Sequence, residues 1–226
     1  VMILLPAAFL LTHSAANDVV AIAFLEMSIA VGSICFHASL RYSMQLLDEL
    51  PMLWYVLVCT VSFLRRLRGW RSLELPAAAV ALTLTSGILL TEQHSTVHEV
   101  FRGLMSCTFS VCLVVIGWGS TAMVERLKLE VDDKRRWVPV MAERLHTAGF
   151  LCFVLSVMCW LADNYYCPLL RNLPGGLPYP HLHTWWHLLV ALALYLSILI
   201  CLQLYDRRDS EELAVQFRFG MPIVIG

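Results

Sequence analysis

The chain has 226 residues, of which 59% are hydrophobic and only 15% charged, with a mean hydropathy of +0.70 and a formal net charge of −1. A soluble domain carries about 25% charged residues, so the composition excludes an ordinary water-soluble globule and points to a membrane protein. The near-neutral charge excludes a nucleic-acid partner, which requires a basic stripe.

In chain order, residues 1–12 read as the tail of a first membrane helix whose beginning is absent. A secretory signal fits them poorly, because they have no basic start and no methionine at position 1. An apolar run at 19–40 carries only Glu26, and runs with at most one charge follow at 50–64, 75–91, 103–124, 145–162 and 184–205. About 20 residues cross a bilayer core of ~30 Å. The run 50–64 is short, and Met44, Leu46 and Leu47 extend it. The expected fold is an all-α integral membrane protein. It is a seven-transmembrane helix bundle with the first helix truncated, six complete spans plus a partial one, forming a single domain over 1–226. The polar stretch 125–144 reads as a mixed-charge loop. In 168–180, Pro168, Pro174, Gly175, Gly176, Pro178 and Pro180 bar a continuous helix, leaving either a connector or a cover over the nearby mouth.

If the helices alternate across the bilayer, thirteen of the sixteen Lys and Arg share one side; only Arg41, Arg102 and Arg171 lie opposite. The positive-inside rule makes the richer side cytosolic, C-terminus included, and the other lumenal. Seven of the eight cysteines lie within apolar runs, where cysteine acts as a small hydrophobe. Cys167 follows Asp163-Asn164-Tyr165-Tyr166 on the lumenal side, with no second loop cysteine to pair with.

The chemistry concentrates on that lumenal side. His183 and His187 are four residues apart in His183-Thr-Trp-Trp-His187, and Ser33 and His37 share the same spacing, so each pair occupies one helix face. Ionisable groups at membrane depth are costly and mark functional sites. Two histidines from one helix and one from another supply three zinc ligands and leave a fourth position for water. Such a water, its pKa lowered to about 7, is a nucleophile at neutral pH. Ser33 is placed to donate to the oxygen that turns negative in acyl transfer, or it is a small packing residue beside Gly32. Asp48 begins the next helix after a short loop and can accept and return a proton. His181 is out of register with His187, and His94 and His98, flanked by Glu92 and Glu99, read as a solvated loop. Trp185 and Trp186 read as an interfacial belt. Glu26 reads as a protonated or paired glutamate facing the bundle, or as a substrate contact.

The run Gly32-Ser33-Ile34-Cys35-Phe36-His37, with Tyr42-Ser43-Met44-Gln45-Leu46-Leu47-Asp48-Glu49-Leu50-Pro51-Met52, resembles the signature of the alkaline ceramidases, closest to the branch that includes phytoceramidases. Asp163-Asn164, His183-Thr-Trp-Trp-His187 and Phe219-Gly220 are similar to that family's later motifs, in the same order. The resemblance implies a seven-helix bundle in the endoplasmic reticulum or Golgi. It implies zinc held by His37, His183 and His187, Ser33 as oxyanion partner, and Asp48 as proton carrier. Asp163 is a candidate to hold a ligand histidine from behind. The implied reaction cleaves ceramide, or phytoceramide or dihydroceramide, into a sphingoid base and a fatty acid, with zinc-bound water as nucleophile. Family members also resemble one another in an acidic N-terminal calcium segment; this sequence starts at Val1, within the expected first helix, so those ligands are absent from it. Glu26 also departs from the family pattern, which is apolar there. Two other classes fit in part. One is a membrane receptor of the same zinc-containing superfamily, non-hydrolytic or weakly hydrolytic. The other is a haem-binding electron carrier, although histidines one turn apart suit a small ion better than a flat macrocycle.

Overall fold

A computed structural model describes residues 16–171, 180–218 and 221–225. The expected partial helix over 1–12, residues 172–179 of the expected loop, and Phe219-Gly220 lie outside the described residues. Among the described residues, six helices are long and apolar enough to cross a membrane. They are α1 (Asn17–Ser39), α2 (Tyr42–Arg68), α3 (Glu74–Leu90, entered through a 3-10 turn Arg71–Leu73), α4 (Thr96–Glu130), α5 (Trp137–Arg171) and α6 (Leu182–Asp206).

The helices outrun the apolar runs that announce them. The stretch expected as a loop at 125–144 is helical up to Glu130 and again from Trp137. Its charges support helix instead of breaking it: Lys128 bonds Glu125 at 2.9 Å along α4 and Glu143 at 2.8 Å on α5. Likewise α5 continues past Pro168 to Arg171, so Cys167 is helical and not in a loop. A proline this close to a helix end costs one backbone hydrogen bond and stops the helix within a turn. All eight cysteines are free thiols.

Close approach of α1 to α2 depends on two residues. Pro51, inside α2, has no N–H to give the Leu47 carbonyl one turn earlier. Gly32 on α1 fills the resulting gap: a Cβ there would overlap the Leu47 carbonyl oxygen and lie 2.8 Å from the Asp48 nitrogen. Glycine therefore lets the two backbones touch next to Ser33 and Asp48. On the other flank Gly149 of α5 faces α6, where a Cβ would overlap Ser197. Ser197 lies in a π-helical turn, Tyr195–Ile200, that interrupts α6.

The core runs along the bundle through Ile22, Leu53, Phe63, Met123, Leu127, Leu202 and Leu204. A short antiparallel hairpin follows α6, pairing Ala214–Arg218 with Met221–Ile225. It packs back on the bundle: Val224 is fully buried, and the Tyr195 hydroxyl donates to the Pro222 carbonyl at 2.8 Å. An all-helical expectation had no place for these strands, although Ile223-Val224-Ile225 is a β-branched run of the kind strands favour.

Candidate metal centre

His37 lies in the last turn of α1, and His183 and His187 in the first two turns of α6, so all three come from the same end of the bundle. Their Nε2 atoms converge. His183 and His187 each place Nε2 at 3.2 Å from His37 Nε2, and the three ligand atoms lie within 4.8 Å of one another. The rings meet nearly edge to face, with interplanar angles of 70°, 82° and 80°. His37 is exposed, and His183 and His187 are half-buried.

The chemistry of this donor set favours a cation. A neutral imidazole carries one proton for two nitrogens, so three Nε2 atoms turned inward cannot all be satisfied by donating to one another. Tetrahedral zinc with Zn–N of about 2.0–2.1 Å would hold neighbouring nitrogens ~3.3 Å apart. The observed 3.2 Å separations fit that spacing.

Of the other residues singled out from sequence, Ser33 and Asp163 stand beside the histidines. Ser33 is buried, its Oγ 3.5 Å from His187 Nε2. Asp48 is half-buried on α2, beside the Gly32 contact. Asp163 on α5 places Oδ2 at 4.0 Å from His183 Nδ1, behind the converging nitrogens. Carboxylates in this position commonly fix the ring orientation of a metal-bound histidine. His181 is the left-handed N-cap of α6, outside the cluster.

Two side chains are used differently from their sequence reading. Trp186 packs on the cluster, its ring 4.3 Å from His187 and 5.2 Å from His183, whereas Trp185 is exposed. The signal was its position: three residues after His183, it shares that histidine's face. His98 is not solvated; it is 1% exposed in the first turn of α4. Its Nε2 lies 2.7 Å from the Tyr42 hydroxyl and its Nδ1 3.0 Å from Thr91 Oγ1, which ties α4 to the start of the helix carrying Asp48. His94 stays exposed in the turn before α4, so the apparent i,i+4 pair is not a pair. Glu26 is 1% exposed, and neither carboxyl oxygen has a hydrogen-bond partner among the described residues. It faces the bundle, as the sequence reading expects.

A helical membrane bundle with a three-histidine cluster at one end is the class that fold and site define. The family model described as Ceramidase matches residues 1–224, and the chain belongs to the ceramidase family. It is 27% identical over 209 residues to alkaline ceramidase 3 of Mus musculus, covering 88% of this chain and 71% of that one. Identity is also 27% over 190 residues to alkaline ceramidase YPC1 of Saccharomyces cerevisiae, covering 75% and 56% respectively. With an alkaline ceramidase of Drosophila melanogaster it is 23% over 220 residues, covering 88% and 68%.

Proposed function

We propose that this protein is an integral membrane amidohydrolase that cleaves ceramide into a sphingoid base and a fatty acid, using zinc held by His37, His183 and His187. Family membership supports the substrate class. The observation that carries the metal assignment is the convergence of three histidine ligand atoms within 4.8 Å, with His37 Nε2 at 3.2 Å from each of the other two. When bound, the ion supplies Lewis acidity and makes water nucleophilic at neutral pH.

The chain's own residues do the rest. Ser33 donates a hydrogen bond to the carbonyl oxygen as the amide carbon becomes tetrahedral. Asp48 takes the proton from the attacking water and passes it to the departing amine, so that the C–N bond breaks as the fatty acid forms. Asp163 holds His183 in orientation, and Trp186 packs against His183 and His187. Gly32 sets the spacing between the Ser33 and Asp48 helices.

We further propose seven spans and a location in the endoplasmic reticulum or Golgi. The lumenal orientation of the site is supported by the arginines at the far ends of the same helices: Arg65, Arg66 and Arg68 end α2, and Arg207 and Arg208 follow α6. The test is zinc analysis of the purified chain alongside ceramide hydrolysis. About one zinc per chain with turnover supports the reading; turnover by metal-free protein sinks it.

A further inference from the structure

Two contacts outside the metal centre grip the start of α2, the helix that carries Asp48, and both come from the first two turns of α4. The first is made by His98, whose backbone N–H donates to the Ser95 hydroxyl that caps α4, at 3.2 Å. Its ring nitrogens are both engaged, Nε2 with the Tyr42 hydroxyl and Nδ1 with Thr91 Oγ1. Thr91 gives its own hydroxyl proton to the Gly87 carbonyl, so its oxygen accepts from His98 Nδ1–H. His98 Nε2 is then the acceptor and the Tyr42 hydroxyl the donor. Each proton in this chain has one acceptor. The chain joins the end of α3, the first turn of α4 and the first residue of α2.

Arg102, one turn further along α4, makes the second contact. It reaches Glu49 Oε1 at 3.5 Å, and the same oxygen accepts from Gln45 Nε2 at 2.7 Å. Glu49 Oε2 is buried and has no hydrogen-bond partner among the described residues, so this carboxylate leans on Arg102 for its counter-charge. Tyr42, Gln45 and Glu49 follow one another at helical spacing and share one face of α2. The two contacts therefore fix both the height and the rotation of that helix start.

The start of α2 needs such support. Pro51 cannot bond the Leu47 carbonyl, so the first two turns are less firmly joined to the rest of the helix. Their place is set by their neighbours instead: α1 touches Leu47 and Asp48 across Gly32, and α4 holds Tyr42 and Glu49. Asp48, one residue before Glu49, is carried on this braced segment.

We propose that His98 and Arg102 are positioning residues that hold the first two turns of α2, and with them the Asp48 carboxyl, where its proton transfer requires. The inference rests on the reading of Asp48 as the proton carrier. Neither residue belongs to the histidine metal group.

The experiment is a double-mutant cycle on the full chain, with bound zinc, kcat and KM for labelled ceramide measured for Tyr42→Phe, Arg102→Gln, Asp48→Asn and the two pairs with Asp48→Asn. Incubations are long enough to read a loss of about 10⁴, the upper end expected for Asp48→Asn. Tyr42→Phe removes only the hydroxyl that His98 accepts from. The Arg102 side chain is 33% exposed, so its replacement leaves the fold intact even if the Tyr42 variant does not fold. Each single change should lower kcat by roughly 10–10²-fold with zinc and KM near the parent values. Arg102→Lys, which keeps a charge against Glu49, should recover most of the loss. In the Asp48→Asn background each change should cost less than about twofold, because the group being positioned is gone. The same loss in that background would overturn the inference. So would an undiminished kcat in Arg102→Gln, or zinc lost in step with kcat. Full turnover by Asp48→Asn alone would overturn the reading of Asp48 beneath it, a failure with its own signature.

Discussion

The two ends of the bundle solve the problem of polar groups in an apolar protein in opposite ways. At one end Arg65 and Arg66 meet Asp18, Glu74 and Asp206, and opposite charges neutralise one another within the chain. At the other, three histidine nitrogens of one kind face inward, with no carboxylate among the converging atoms. At the charged end Arg65 and Arg66 are paired within the chain. The histidine end is a group that could hold a cation. Polar residues that balance one another hold helices together; polar residues that share one unmet need define a site.

Substitutions at the two ends should therefore fail differently. The largest effect is expected for His183→Ala, which removes one of three ligands: most bound zinc and essentially all ceramide turnover should go, while the helical content by circular dichroism stays. Retention of full zinc would break the comparison at its centre. Asp48→Asn should keep the metal and lower turnover by about 10²–10⁴, the range for loss of a positioned acid–base group. Ser33→Ala should keep the metal and cost about 10²–10³, the range for one oxyanion donor. Turnover within a factor of two of the parent would return Ser33 to a packing role.

Much of this site was legible in the sequence because helical spacing is local. His183 and His187, and Ser33 and His37, announce their shared faces by a separation of four residues. That His37 comes to lie 3.2 Å from both histidines of a helix 146 residues further on is a tertiary fact. It was readable only as agreement in depth. His98 was misread because it was taken with His94 as part of a solvated loop: His94 has φ 73° in the turn, but the helix begins at Thr96 and buries His98. The spans were found, but their ends were underestimated, since charged turns such as 125–130 stay helical once Lys128 has carboxylate partners on two helices. The closeness of Gly32 to Leu47 was out of reach of the sequence, although Pro51 marked the unbonded carbonyl.

Two smaller effects sharpen the contrast. Gly32→Ala forces a methyl into the Leu47 carbonyl and should separate α1 from α2 at the site. A displacement of ~1 Å can cost about 10²-fold in rate, here with little loss of zinc, since His37 lies more than a turn away. Arg66→Ala leaves Asp206 without this partner and Asp18 with Arg65 alone. Removing one member of a buried pair costs about 3–5 kcal/mol, and the partial exposure of Asp206 should hold this case at or below the lower figure. Thermal unfolding should show that loss, while zinc content and the ratio of turnover to folded protein stay near the parent values. A metal loss equal to that of His183→Ala would mean that the two ends are not independent.

The most direct measurement is to strip the purified chain with a chelator, record zinc content and ceramide hydrolysis together, and then add zinc back. The expected result is that turnover falls in proportion to bound zinc and returns with about one zinc per chain. Ceramide hydrolysis that persists undiminished in metal-free protein would contradict it.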